Sequence, residues 1–541
     1  MPGTDRAGWL SRALGGIPTH VGSSHFHTRL LTTTVSNMRK SALLILAPIA
    51  VVLVAACGSR QTALLSPYPI GSVQYLRAEL DTIFLDPAFQ NAHWGVMVQS
   101  MENGEILYRK NARKLFMPAS NMKLVTSTVA LARLGADLHF QTRMIACGSI
   151  DTQRGVLNGD LIVVGGGDPS ISGRFGDGDP LSVFRAWADS LRNFGIDSID
   201  GGVVGDDDLF DDVHIGPGWA WDYLGAAYAA EIGALLFNEG ALGIRFVPGG
   251  SVGDAVDPIL VPATSYMNLH GKAVTTGDST EVYLYTSRRP FSNDVDVGGA
   301  IWIGSDSLMR YVAPHNPTLY FATVLQETLE SRGIALSGSP RDLDETSIEC
   351  DSSETLIGYR SPSLGEIIQP FLKESQNQIG EMLLRYLGAV TTDTGSVSAG
   401  RRAVTETLTT WGIPDDSYVY YDGSGLSRYN YLAPEAVVRL LRVMAHRPDF
   451  EVFYDALPIA GVDGTLEDRM VGSRAEGNAR AKTGFISNAR ALSGYVTTVD
   501  GELLAFSIIA NNFDTPVRPV EYVQDLVVER LANFERDAAA H

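Results

Sequence analysis

Three short stretches of this chain could do chemistry together. The first is MPASNMKLVT, in which Ser120 precedes Lys123 by three residues. Residues at i and i+3 share one face of a helix, so the serine hydroxyl and the lysine amine can meet. A serine hydroxyl is a weak nucleophile at neutral pH and needs an adjacent base. An amine can be that base only when burial or a second cation lowers its pKa. The second stretch is KESQNQIGEMLLRYLG, with Ser375 and Asn377 ahead of an amphipathic pattern. A hydroxyl and an amide at an element boundary can both face a cleft, or simply cap a helix. The third is ARAKTGFISNARALSGY, where Lys482, Thr483 and Gly484 fall in a strand pattern. A strand glycine marks close approach of a ligand or another backbone. The lysine and threonine before it offer a charge and a hydroxyl suited to a carboxylate. The chain has only seven lysines, and two of them lie in these motifs.

The elements that must carry these groups can be read from hydrophobic patterning. WGVMVQSMENGEILYRKN (94–111) is a strand, an Asn-Gly turn and a strand. SNMKLVTSTVALARLG is a buried helix stopped at Gly135. LSGYVTTVDGELLAFSIIANN (492–512) is a second hairpin, turning at Asp500-Gly501, and VEYVQDLVVERLANF (520–534) is a closing amphipathic helix. A sheet with helices at both chain ends predicts one α/β domain split in sequence. From about 145 to 350 the chain is rich in glycine and aspartate, with short alternating stretches, and reads as a mostly β insertion. A further β module is expected within it at 242–305, followed by a helix at 318–334. The expected organisation is a split domain at 58–144 and 353–541, an inserted domain at 145–241 and 306–352, and a nested domain at 242–305.

At 541 residues the chain is too long for one core. Its net charge of −20 repels phosphate backbones and argues against a nucleic-acid partner. Arg39 and Lys40 precede the apolar run SALLILAPIAVVLVAAC, which ends at Cys57. This is a secretory signal, too short to span a bilayer comfortably. Residues 1–37 are expected to be an extension ahead of the true signal at 38–57. The other cysteines are Cys147 and Cys350; export permits a disulfide between them, and two buried thiols are the alternative. No CxxC or HExxH pattern is present, so no metal site and no cofactor are expected.

SxxK, SxN and KTG in this order resemble the signature of the penicillin-recognising serine enzymes. With GDPSIS, GPGWAWD, YDGSGLSRYNYLAPEAVVRLL and LPIAGVDGTLEDRM, the chain resembles the D-alanyl-D-alanine carboxypeptidase/endopeptidase family, the class C low-molecular-mass penicillin-binding proteins, over about residues 75–535. The resemblance implies an antiparallel sheet with flanking helices, interrupted by the β insertion. It also implies a nucleophile at Ser120, a base at Lys123, a proton relay at Ser375 and a substrate-amide contact at Asn377. Lys482 and Thr483 would hold a terminal carboxylate, and the backbone N–H groups of Ser120 and Phe485, the residue after Gly484, would form the oxyanion hole. Family members more often carry a small polar residue in place of Phe485. Asp206, Arg428 and Ser487 would line the substrate groove, with Asp207 and Asp208 ambiguous neighbours of the first, and Trp219 and Trp221 are expected to pack. The Val54-Ala55-Ala56-Cys57 box resembles a lipoprotein cleavage site, which implies a lipid on Cys57 and membrane association, with a plain signal peptide as the alternative. The implied substrates are peptidoglycan stem peptides and cross-links, and the implied inhibitors are β-lactams. A β-lactamase or esterase of the same fold and a non-catalytic wall-binding lipoprotein are the competing readings.

The two lysines are also expected to lie close together, each disfavouring the other's charge.

Overall fold

The computed structural model describes residues 68–536, apart from positions 349, 351 and 393. The expected N-terminal extension, the signal and Cys57 lie outside the described residues. None of the described helices is long and apolar enough to cross a membrane.

Two hairpins from opposite ends of the chain build one sheet. β1 (His93–Ser100) and β2 (Ile106–Lys110) flank the Asn103-Gly104 turn. β3 (Arg480–Ile486), β4 (Ala489–Thr497) and β5 (Leu503–Asn511) form an antiparallel meander. β5 pairs antiparallel with β1 from His93 opposite Asn511 to Ser100 opposite Leu504, so the order is β2-β1-β5-β4-β3. β3, which carries Lys482, is therefore an edge strand.

Side chains alternate between the faces of a sheet. Val96, Val98, Phe506 and Ile508 pack beneath α1 (Val73–Ile83) and α6 (Val517–Ala532), whose stripes include Leu76, Leu80, Val523 and Val527. Met97, Ala505 and Tyr495 face the opposite layer: α2 (Met122–Leu134), α3 (Leu364–Lys373), α4 (Asn377–Ala389) and α5 (Pro434–Met444). Because both faces of β5 are covered, LLAFSIIAN reads as a continuous apolar run rather than an alternating one.

α2 lies at the centre of the helical layer, and every residue from Met122 to Leu131 is buried. Two of its interior hydroxyls are satisfied locally, Thr128 Oγ1 donating to Leu124 O at 2.8 Å and Ser127 Oγ to the same carbonyl at 3.2 Å, whereas Thr126 Oγ1 donates to Gly423 O at 2.6 Å. The helix ends at Gly135, whose φ of 80° suits glycine and whose N–H returns to Leu131 O at 3.0 Å.

The insertion is a second core on its own sheet. The long strands His139–Asp151, Val156–Val164 and Ser353–Ser363 are neighbours, with Val203–Asp206 beside the second. Helices Ser182–Asn193 and Pro317–Ser331 cover it through Phe184, Trp187, Phe321 and Leu325. Strand pairing runs across the boundaries expected from sequence. The 144/145 boundary falls inside His139–Asp151, and Ser353–Ser363, assigned to the split domain, pairs with that same strand. Both strands run straight from one core into the other, so no composition change marks the crossing. Likewise Leu308–Val312, expected outside the nested module, pairs with its strand Leu242–Phe246.

Cys147 and Cys350 form a disulfide across 203 positions, which decides between the two alternatives open in the sequence. Closing so long a loop restricts the unfolded chain. Cys350→Ser is expected to lower the free energy of unfolding by about 2–4 kcal/mol in urea titrations, and a reductant should bring the wild-type protein to the same level.

Candidate active site

Ser120 sits in a single 3₁₀ turn, Ala119–Asn121, that leads directly into α2. Ala119 has a φ of 47°, in the left-handed region that non-glycine residues avoid. Gly425 makes this tolerable from outside: a Cβ there would lie 1.9 Å from Ala119 O and 3.0 Å from Ser120 N, so only glycine lets the two backbones touch. One helical step on, Lys123 Nζ lies 2.9 Å from Ser120 Oγ, 2.6 Å from Asn377 Oδ1 and 2.7 Å from the carbonyl of Ser424. An unprotonated amine has two hydrogens and one lone pair. Asn377 and Ser424 offer acceptors only, so they take the two hydrogens. The lone pair is left for the Ser120 hydroxyl, which then donates to Nζ.

Burial favours that state. Lys123 is fully buried, and desolvation lowers its pKa to about 7 against the opposing pull of Asp422 and Glu381. Lys482 is also fully buried, and its pKa is driven well down by desolvation and then by the charge of Lys123. The expected lysine–lysine repulsion therefore acts on Lys482. The low pKa of Lys123 comes from its burial at the head of α2, the first of the two causes left open by the sequence.

Several groups that hold this centre were not singled out from sequence. Asn377, Glu381 and Arg385 are spaced by four along α4 and share one face. Glu381 Oε1 accepts the N–H of Ser424 at 2.9 Å, which aims the neighbouring carbonyl at Lys123. Its carboxyl is pushed up by burial and by Asp422, and Arg385 opposes the shift. Asp422 is buried and accepts four hydrogen bonds: from Gly425 N (2.8 Å), Ser427 N (2.6 Å), Asn430 Nδ2 (2.6 Å) and Trp219 Nε1 (3.0 Å). Trp219 is thus a packing and anchoring residue of the insertion, whereas Trp221 is largely exposed at 82%. The i, i+4, i+8 polar stripe on an otherwise apolar helix was the available signal for Glu381. The part played by Ser424 belongs to its backbone carbonyl, which no residue type encodes.

β3 lies against the turn that carries Ser120. A Cβ on Gly484 would be 2.5 Å from Pro118 O, and Asn121 Nδ2 donates to Lys482 O at 3.1 Å. Among the described residues Lys482 Nζ has one partner, Thr483 O at 3.1 Å, and Thr483 Oγ1 donates to Thr465 Oγ1 at 2.7 Å. The exposed ring of Phe485 rests on the guanidinium of Arg490, 3.5 Å from the ring centroid.

The remaining predicted residues divide. Ser375 stands two positions before Asn377 with a φ of 63° and is bonded to neither Ser120 nor Lys123. With Asn377, Tyr228 and Tyr311 it lines a cleft of about 810 Å³ between the two cores. Asn377 Nδ2 donates to Tyr228 O at 2.7 Å. The Tyr228 ring meets that of Tyr223 edge-on at 5.6 Å, and Arg428 donates to Tyr223 Oη at 3.1 Å and to the carbonyl of Ser487 at 3.4 Å. Arg428 and Ser487 are therefore joined to the centre through insertion residues. Asp206 is not joined to it: its carboxylate accepts the Asp208 N–H and lies near Arg143. The acid that the fold does bring beside Tyr223 and Tyr228 is Asp222. Asp207, Asp342 and Asp344 approach one another within 4.8 Å in the insertion and share no residue with the Ser120 centre.

Residues 76–533 match the D-Ala-D-Ala carboxypeptidase 3 (S13) family. The chain belongs to this family. It is 34% identical over 470 residues to the D-alanyl-D-alanine carboxypeptidase of Actinomadura sp. strain R39, covering 85% of either chain. It is 26% identical over 433 residues to D-alanyl-D-alanine carboxypeptidase DacB of Haemophilus influenzae, covering 79% of this chain and 87% of that one. The crystal structure of penicillin binding protein 4 from H. influenzae shares its fold, with a TM-score of 0.73 at 24% identity over 84% of this chain and 99% of that one. S13 enzymes are penicillin-binding serine peptidases that act on peptidoglycan, and this chain is one of their D-Ala-D-Ala carboxypeptidases.

The amine of Lys123 can take a proton only when it is unprotonated. If Lys123 is the base that takes the Ser120 proton, the second-order rate of acylation by penicillin rises with pH, with a midpoint near 7 and a plateau above it. Stopped-flow acylation measured from pH 5 to 9 checks this; a rate that is flat or falling through neutrality contradicts the role of Lys123.

Proposed function

We propose that Ser120 is the acylated nucleophile and Lys123 its general base. The observation that carries this reading is the set of three contacts at Lys123 Nζ, two acceptors and one hydroxyl, on an amine whose pKa lies near 7. Lys123 takes the hydroxyl proton as Ser120 Oγ attacks the carbonyl carbon of the penultimate D-alanine. The tetrahedral oxyanion is held by the backbone N–H groups of Ser120 and Phe485, each donor contributing roughly 3 kcal/mol in sites of this kind. Ser375, whose hydroxyl is free to turn, passes the proton to the departing amine. The C–N bond breaks, D-alanine leaves, and water hydrolyses the acyl-enzyme with Lys123 again accepting a proton.

Lys482 and Thr483 bind the terminal carboxylate. A buried amine with a single carbonyl partner among the described residues gains most from an anion, which favours its charged form. Asn377 keeps one Nδ2 hydrogen on Tyr228 O and turns the other to the substrate amide. Gly484 and Phe485 supply backbone along one side of the substrate, and Arg428 with Ser487 lines its acyl side.

The substrates on this reading are stem peptides of peptidoglycan and the D-alanyl cross-links between them, and β-lactams inhibit by acylating Ser120. A bound β-lactam is present in one structure of the H. influenzae relative. The apolar run ending at Cys57 exports the protein to the cell envelope, and a lipid on Cys57 anchors it there. A fluorescent penicillin should label the wild-type enzyme and leave Ser120→Ala unlabelled, with D-alanine release falling by about 10⁶-fold, the order of magnitude seen when a catalytic nucleophile is removed. Equal labelling of the two proteins contradicts the proposal. Mass spectrometry of digested muropeptides then separates loss of terminal D-alanine from cleavage of cross-links.

A further inference from the structure

The segment Leu457–Leu466 touches both walls of the site, and the mechanism above leaves it without a role. On one side it is sewn to the start of β3: Ala481 N donates to Pro458 O and Ala460 N to Ala479 O, both at 2.9 Å. On the other side it is held by Lys373, two residues before Ser375. Lys373 Nζ donates to Asp463 Oδ2 at 2.6 Å and to Leu457 O at 2.9 Å, while Asp463 Oδ1 accepts the Ile459 N–H at 2.9 Å. Gly464 turns with a φ of 59°, and a Cβ there would lie 2.5 Å from Lys373 O. The segment is thus pinned between the strand that bears Lys482 and the approach to Ser375.

The pinned turn presents Thr465. Its Oγ1 accepts the Thr483 hydroxyl at 2.7 Å, the one hydrogen bond either hydroxyl makes among the described residues. The Thr465 proton is left without an acceptor, and the residue is exposed. A hydroxyl that accepts one hydrogen bond becomes a better donor of the next. A carboxylate offers about four lone-pair positions, and with the Thr483 proton committed to Thr465, the free hydroxyl proton of the pair is that of Thr465.

We infer that Thr465 is a substrate-binding residue that completes the subsite for the leaving group's carboxylate, donating to it directly, while Thr483 acts through the hydrogen bond it gives to Thr465. This rests on the reading of Lys482 and Thr483 as the carboxylate site. The Lys373–Asp463 ion pair is the positioning element, since it fixes the turn from which Thr465 projects.

The test uses two thioester acyl donors with the same D-alanyl acyl part, whose leaving groups are 2-mercaptopropanoate or its carboxamide. Rates are normalised to sites titrated by penicillin, which counts only folded enzyme. Thr465→Val is expected to lower kcat/KM for the carboxylate donor about tenfold, the low end for a hydrogen bond to a charged group. It should leave the carboxamide donor unchanged, and Thr465→Ser should behave as wild type. Loss on both donors alike, or no loss on the carboxylate donor, overturns the inference. A wild-type enzyme with no preference for the carboxylate donor overturns the assignment of Lys482 and Thr483, and this inference with it.

Discussion

The structure depends on taking one amine out of water. Lys123 sits at the head of a helix buried on every side, and the cost of desolvating its charge is what brings its pKa down to about 7. Neighbouring acids would undo this if they were too close or too strong. Asp422 spends both its oxygens on four donors of its own loop and of Trp219, and Glu381 is itself pushed toward its neutral form by burial. The two acids organise the polar groups around the lysine without restoring its proton.

The same requirement explains the work of the insertion. It is a separate core in packing terms, with its own sheet and helices. Yet Trp219 reaches across to Asp422, Pro217 O accepts the Ser427 hydroxyl at 2.7 Å, and Tyr228 O accepts the amide of Asn377. These contacts brace the 422–430 loop and the start of α4, the two segments that supply the acceptors for Lys123. A substitution on the inserted half can therefore change the chemistry of the other half without touching substrate.

Much of this was legible in the sequence because it is local. Asn103-Gly104 and Asp500-Gly501 announced their hairpins, Gly135 its helix end, and the spacing of Ser120 and Lys123 their contact. What escaped depends on partners far along the chain. Strand pairing crosses the expected domain boundaries because His139–Asp151 and Ser353–Ser363 pair with each other across more than 200 positions of sequence. Asp206 looked like a groove acid in a run of three aspartates, but its place at the end of a strand ties it to Asp208 and Arg143. Which of burial and a second cation lowers the lysine's pKa stayed open in the sequence, because depth of burial is a property of the assembled layers.

The order of strands in the sheet gives the chain a temporal property. The strand Leu503–Asn511 is threaded between β1 and β4, so the N-terminal hairpin has no place in a larger sheet until that strand exists. An isolated two-stranded ribbon is marginal in water. During synthesis the nucleophile helix is made early, but the surface against which it is buried and the strand that carries the second lysine come hundreds of residues later. The enzyme is therefore born inert: a nascent chain displays a solvated lysine beside an ordinary serine. Reactivity toward peptides begins only when the two ends of the polypeptide meet.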